Sequence, residues 1–355
     1  MDAMPIEVTV SAVGDIMMKN KLILSAQLPE SQQFDFDGMF EEVAPVLRSA
    51  DLTIGNLETT FAGTDDTTSF MRQPRNPKTR YPLFNCPDDL APALKRAGFD
   101  VLTTANNHCM DYGIAALQRT LNILDQNDIA HTGTFRTLQE SKQLLIKDVK
   151  GIKIGVLAYT LGTNSIRVKQ KQQWAVNRIR AEQITNDLRR LKKKTDFVIV
   201  SMHFGREYEL QPSSRQKRLV RMLFKHGANM VLGAHPHVIQ PAIFTSVRDV
   251  EGVRKKRFAI YSLGNFITTR LKRNNHTKNG VIAQFTLAKD DRGEVEISSV
   301  EFVPTWVKEA QTHNGAKYQI VPLGEAVDNP TDIETEELLT MHAIHTQVAE
   351  RLALK

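Results

Sequence analysis

The sequence predicts an α/β fold of layered sheets flanked by helices, and three observations carry that expectation. Short apolar or β-branched runs alternate with helix-like stretches along the chain. Five of those runs end directly in a group able to bind metal, which is where open α/β sheets usually place their ligand crevices. The chain has 355 residues, 41% hydrophobic and 24% charged, an ordinary globular composition that excludes disordered and fibrous classes.

In chain order, strands are expected at Ile6 to Val13, Leu52 to Leu57, Phe99 to Thr104, Ile152 to Tyr159, Phe197 to Met202, Met230 to Gly233 and Phe258 to Leu263. Several of them are apolar without alternation, as strands buried on both faces are. Helices are expected around Phe40 to Ala50, Asp88 to Ala97, Ile114 to Gln126, Trp174 to Lys193 and Arg215 to Lys225. Alternating segments from Val281 to Phe302, parted by Lys289-Asp290-Asp291-Arg292-Gly293, predict a late hairpin. A final helix is expected from Glu334 to Leu352, as packing or oligomerisation material. The stretch Thr60 to Asn85 breaks the rhythm with Gly63, three prolines and three arginines; it reads either as a substrate-contacting loop or as a solvated excursion. This organisation gives one main domain over residues 1–325 and a helical extension over 326–355.

Lys plus Arg exceed Asp plus Glu by 46 to 40, a formal charge of +6, which mildly favours anionic partners. The basic runs Arg189 to Lys194, Arg254 to Arg257 and Lys272-Arg273 read as solvated helix faces or hairpin loops. With no zinc-finger spacing and no aromatic-basic stripe beside them, no specific nucleic-acid partner is expected. Cys86 and Cys109 are the only cysteines, too few for a disulfide scaffold or a multi-cysteine metal site. No run of about 18 apolar residues occurs, and the start does not resemble a signal peptide. The chain as given is expected to be soluble, in the cytoplasm or, if an anchor precedes it, at the outer side of the cell envelope.

The candidate chemistry lies at the strand ends. Asp15, Glu58, Asn106, His203, His235 and His237 together offer carboxylate, amide and imidazole donors. That mixture suits a divalent ion such as Mn, Fe or Zn, in one site or two; the alternative is a metal-free polar network supporting bent loops. His235 and His237, separated by Pro236, can approach different sides of a metal cluster. His108 follows the candidate amide ligand, with Asp111 close enough to orient it, so it reads either as a general acid or as a structural histidine. Arg206 and Glu207 follow His203, as an anion contact and as a proton acceptor or ligand-supporting group, or as solvated side chains.

Taken together, Val13-Gly14-Asp15-Ile16-Met17, Asn56-Leu57-Glu58, Thr104 to Gly113, His203 to Tyr208, Gly233 to Val238 and Tyr261 to Phe266 resemble the bacterial capsule-synthesis CapA family, also called the poly-gamma-glutamate biosynthesis PgsA family. The ordered motifs cover roughly residues 6–325. The resemblance implies a calcineurin-like metallophosphoesterase fold, a β-sandwich flanked by helices, with Asp15 as first acidic ligand, Glu58 as bridging acid, Asn106 as amide ligand and His203, His235 and His237 as imidazole ligands. It also puts the family's histidine beside the amide ligand at His108, and the motif ending at Phe266 adds Asn265 to Arg206 as an expected substrate contact. One departure is visible: the superfamily's Asp-x-His opening is Asp15-Ile16-Met17 here, so one metal position lacks a donor. Two functions follow. One is a metal-dependent hydrolase of capsule or poly-gamma-glutamate biosynthesis, attacking an anionic polymer or phosphoester with metal-activated water. The other is a non-catalytic, metal-containing protein that binds or exports the polymer, in a capsule-synthesis membrane complex.

Overall fold

A computed structural model describes residues 6–64, 70, 72–313, 315–324 and 335–353. Strands β1 (Ile6–Ile16), β2 (Leu52–Leu57), β3 (Val101–Thr103) and β4 (Ala130–Thr132) start one sheet. Strands β5 (Leu145–Val149), β6 (Ile152–Thr160), β7 (Phe197–His203), β8 (Met230–Ala234), β9 (Ile239–Arg248) and β10 (Arg254–Leu263) make the other. The chain then returns to the first sheet with β11 (Asn265–Ile267), β12 (Asn279–Lys289), β13 (Val295–Thr312) and β14 (Gly315–Pro322). The order is β14-β13-β12-β1-β2-β3-β4, with β11 on β1, against β5-β6-β7-β8-β10-β9.

The two sheets face each other across one apolar layer. Val8, Val10, Leu52, Ile54 and Val101 from the first sheet meet Ile154, Phe197, Ile199, Met230 and Ile260 from the second. Outside the first sheet pack helices α1 (Asn20–Ala26), α2 (Asp37–Phe40), α3 (Ala44–Arg48) and α4 (Leu90–Ala97), through Leu22, Phe40, Leu47 and Leu94. Helix α5 (Gly113–Gln126) adds Leu124 to this layer. Outside the second sheet lie α6 (Ala181–Lys192) and α7 (Ser214–Lys225), with Leu188, Leu191, Val220 and Leu223 buried. Each face is thus covered, as parallel strands require.

The expected strands and the late hairpin are present. The expected helix at Phe40 to Ala50 is instead α2 and α3, because Pro45 is tolerated only in a first helical turn and restarts the helix there. The expected helix from Trp174 begins only at Ala181. Residues 176–179 are extended instead, since Asn177 N donates to Gly133 O (2.8 Å) and Ile179 N to Thr160 O (3.0 Å). Glu334 and the expected 325/326 boundary lie outside the described residues. The described helix α8 (Thr335–Leu352) puts Met341, Ile344 and Val348 into the inter-sheet layer. Among the described residues, no helix is long and apolar enough to cross a membrane.

Period 2 explains where the chemistry emerges. Along the inner face of β2 and just beyond it run Leu52, Ile54, Asn56 and Glu58; along β7 run Phe197, Ile199, Ser201 and His203. Both stripes begin apolar and end polar at the same edge of the sandwich. Ser201 Oγ donates across the gap to Thr103 Oγ1 at 3.3 Å, so the inter-sheet layer turns from dry core to polar site there.

Candidate metal centre

Asp15 is aimed by a break in its strand. The register of β1 against β2 shifts between Ala12 and Asp15, and an irregularity of this kind re-aims a side chain. Gly14 permits it, because a Cβ there would lie 1.9 Å from Gly264 O. Glu58 continues the ladder beyond β2, its N–H donating to Ile16 O at 3.0 Å.

The turn after β8 carries two histidines on left-handed backbone, His235 at φ 96° and His237 at φ 58°. Such non-glycine conformations cost on the order of 1–3 kcal/mol each and persist where the surroundings enforce them. Here His235 N donates to Asp15 Oδ2 (3.2 Å) and Tyr208 N donates to Pro236 O (2.8 Å). The strain is held by the same acid the turn approaches.

Five expected ligands come together. Donor atoms of Glu58, His203 and His235 lie within 4.8 Å of one another, as do those of Asp15, Glu58 and His237, so Glu58 belongs to both sets. His203 Nε2 is 3.5 Å from Glu58 Oε1, and His237 Nδ1 is 3.3 Å from Asp15 Oδ2. Both carboxylate oxygens of Glu58 are buried without a hydrogen-bond partner, as is His235 Nδ1. A buried carboxylate left bare costs several kcal/mol unless something compensates it. The residues therefore fit divalent ions, with nitrogen and oxygen donors of the kind Zn, Mn and Fe accept.

Protonation follows burial and charge. Burial pushes Glu58 well above the usual carboxylate range, reinforced by Asp15. For Asp15, burial is outweighed by the hydrogen bond from His237 and the charges of His203 and His237, which hold it at about 2. Burial draws His203 to about 3, against the pull of Asp15, and draws His235 to about 3 with help from its imidazole neighbours. His237 goes the other way: burial is overcome by Glu58 and Asp15, which lift it to about 9.

The expected amide ligand sits differently from its neighbour. Asn106 gives its Nδ2 to Leu57 O (2.7 Å), while its Oδ1 accepts from His108 N (3.1 Å). Asn107 is the residue that reaches the donors, with Oδ1 2.7 Å from His203 Nε2. Asn56 carried no expected role, yet its Nδ2 donates to Asp15 Oδ1 at 2.7 Å and lies 3.4 Å from His203 Nδ1. The period-2 continuation of Leu52 and Ile54 is the sequence signal that could have found it.

Asn265 is not positioned as a substrate contact. It is fully buried: its Oδ1 is 3.0 Å from His237 Nδ1, and its Nδ2 donates to His237 O (3.2 Å) and Thr277 O (2.8 Å). Those bonds orient a candidate ligand. Arg206 is exposed and lies outside the cleft lining.

A cleft of about 530 Å³ opens beside the donors, lined by His237, His108, Glu207 and Tyr208. Lys19, Arg75, Arg80 and Lys272 add positive charge to its wall. Arg75 and Arg80 come from the expected excursion, which is closed at its base by Thr60 and Asn85 and folds on itself at Arg75 and Pro82; residues 65–69 and 71 of it lie outside the described residues. His108 Nδ1 is 2.7 Å from Asp111 Oδ2, which also accepts from Phe84 N at 2.7 Å. Burial works against charge on His108, but the charge and hydrogen bond of Asp111 prevail and raise its pKa. Met17 is buried against Phe84, Leu271 and Tyr208, so the position of the expected histidine is filled by apolar packing.

Residues 9–270 match the bacterial capsule synthesis protein family PGA_cap. The chain belongs to that family. It is 28% identical over 287 residues to capsule biosynthesis protein CapA of Bacillus anthracis, covering 79% of this chain and 64% of that protein. It is 27% identical over 292 residues to PGA biosynthesis protein CapA of Bacillus subtilis (strain 168), covering 82% and 70%. A crystal structure of a putative 5'-nucleotidase from Staphylococcus aureus in complex with alpha-ketoglutarate superposes with a TM-score of 0.51 at 14% identity, covering 96% of this chain and 58% of that one. That likeness is one of fold, layered sheets flanked by helices, and the donor clusters are groups able to hold a divalent ion.

Proposed function

We propose that this PGA_cap chain is a divalent-metal-dependent hydrolase of capsule or poly-gamma-glutamate biosynthesis, acting on an anionic polymer or phosphoester. The observation that supports this most is Glu58, a buried carboxylate with both oxygens bare, shared by two donor sets of which one member, His237, lines a basic cleft. In this reading Glu58, His203 and His235 hold one ion with the Asn107 amide oxygen, which replaces Asn106 in that role; Asp15, Glu58 and His237 hold the other. When bound, Mn, Fe or Zn ions supply Lewis acidity and lower the pKa of attacking water.

The remaining work falls to side chains. Lys19, Arg75, Arg80 and Lys272 hold the anionic substrate against the donors. His108, whose pKa Asp111 raises, gives its proton to the leaving oxygen. Glu207, on the same wall and hydrogen-bonded to Tyr208, takes up a proton in this reading. Assays of metal-replete protein on phosphodiesters and on poly-gamma-glutamate, with chelator controls, test the reading; folded, metal-replete protein that turns over neither would end it. Met17 favours a second reading, because it leaves the Asp15 set one donor short: a non-catalytic metal protein that binds the polymer within a capsule-synthesis membrane complex. Binding of poly-gamma-glutamate without turnover is its signature.

A further inference from the structure

A second depression, of about 550 Å³, adjoins the metal cleft, and Lys19 and Gln73 line both. Its wall carries Lys21, Arg270, Arg273 and Lys278 against a single carboxylate, Glu309, which already accepts a hydrogen bond from the Tyr318 hydroxyl at 3.0 Å. Among the described residues, no ion pair joins Lys19, Lys21, Arg270, Arg273 or Lys278 to an acid. Burial lowers the pKa of Lys19, and the charges of Lys21 and Arg75 add to that. Five cations facing one carboxylate repel one another, and an anion lying among them relieves that repulsion.

The turn between the two depressions is built for this division. Lys272 and Arg273 are consecutive non-glycine residues on left-handed backbone, at φ 44° and 59°, a conformation that side chains disfavour. Thr277, fully buried, holds the turn: Leu271 N donates to its Oγ1 at 2.8 Å, and that hydroxyl donates to Asn274 O at 2.6 Å. Thr277 O in turn accepts from Asn265, which orients His237. The outcome is that adjacent cations serve adjacent depressions. Lys272 lines the metal cleft with its ammonium 4.7 Å from the centre of the Tyr208 ring, and Arg273 lines the second depression.

We propose that the two depressions form one track for a chain-like polyanion, with one anionic group over the metal centre and the following groups among Lys21, Arg270, Arg273 and Lys278. The proposal rests on the reading of the first depression as the substrate cleft, and adds that the substrate is long. A polycarboxylate and a polyphosphate share the required chemistry, a flexible chain of closely spaced anions.

The test is equilibrium binding to the metal-loaded full chain, in two arms: γ-linked diglutamate against a long γ-linked oligomer, and pyrophosphate against a long polyphosphate. The comparison protein carries Arg270→Gln, Arg273→Gln and Lys278→Gln together. A ligand reaching both depressions gains avidity, so the long chain should bind wild type at least about tenfold tighter than its dimer, with a steeper loss on adding salt. The triple variant should lose about tenfold for the long chain while keeping its dimer affinity and metal content. Whatever length advantage the variant retains measures the statistical gain of many binding registers, and the arm with the larger loss identifies the anion. Equal long-chain affinity for variant and wild type in both arms overturns the track. The two readings fail separately. Turnover of a small phosphodiester with no length advantage leaves the hydrolase and removes the track, whereas a length advantage with no turnover of any substrate leaves the track and removes the hydrolase.

Discussion

The donor set Glu58–His203–His235 and the set Asp15–Glu58–His237 share one carboxylate but differ in what surrounds it. The first has two imidazoles that burial keeps neutral, each drawn to about 3, and an amide oxygen from Asn107 within 2.7 Å of His203. Its imidazoles need shed no proton to ligate; Glu58, which burial holds well above the usual carboxylate range, is common to both sets. The second has Asp15 ionised, but His237 is lifted to about 9 and must release a proton before it can ligate, and Met17 puts a packed thioether where the superfamily opening has a donor. Metal binding competes with protons for such a ligand. On this difference the two candidate positions are expected to be unequal, with the first filling before the second.

Removing the shared element should have the largest effect. Glu58→Gln deletes the common charge, so metal content of both sets should fall below detection by elemental analysis. The fold should survive, because the carboxylate it replaces makes no hydrogen bond. Retention of one full equivalent of metal would mean that the sets do not depend on Glu58 together.

His108→Asn sharpens the comparison by leaving both sets untouched. An amide cannot serve as an efficient proton donor, so turnover of a substrate with a poor leaving group should fall by about 10²- to 10⁴-fold at unchanged metal content. A good leaving group should show a smaller loss. Equal rates for variant and wild type on both would reject the acid role.

Much of this was legible from the chain. Asp15, Glu58, His203, His235 and His237 each end an apolar run, and parallel strands bring such ends to one edge whatever their separation in sequence. The choice between Asn106 and Asn107 was not legible, because the loop after β3 has no period to say which amide turns inward. Asn265 shows the same limit: a motif locates a polar residue, but only the packing of Thr277 and His237 around it shows that it is sealed from substrate. Strand β9 was hidden by Pro241, which an edge strand tolerates. The short β4 and the weakly buried β5 carry too little apolar pattern to stand out.

A more direct contrast comes from removing one imidazole at a time. Supporting partners alone are worth about 10- to 100-fold in metal affinity, so deletion of a donor should cost at least that. His235→Ala should weaken the tighter ion and His237→Ala the weaker one, while Lys193→Ala, a distant surface change, should leave both affinities unchanged. In wild type the weaker ion should bind better as pH rises toward about 9, where His237 gives up its proton. Metal titrations at several pH values check this. Identical losses from His235→Ala and His237→Ala, with no pH dependence, would make the two positions equivalent.

The smallest expected effect tests the cause of the asymmetry. If the second set is weak because Met17 supplies no donor, Met17→His should strengthen that ion by about tenfold, a gain of about 1.4 kcal/mol. The gain is modest because Met17 packs against Phe84, Leu271 and Tyr208, and a smaller polar ring there forfeits contacts, at a cost within the usual 0.5–3 kcal/mol for a buried substitution. The apo variant should therefore melt below wild type, and saturating metal should recover part of the difference, since binding to the native state alone raises its stability. Met17→Leu separates the two contributions: it keeps apolar volume and offers no donor, so it should leave both metal affinity and the apo melting temperature near wild type. Tighter binding in Met17→His but not in Met17→Leu assigns the weakness to the missing ligand. No tightening in a folded Met17→His protein would place the cause with the proton on His237 instead.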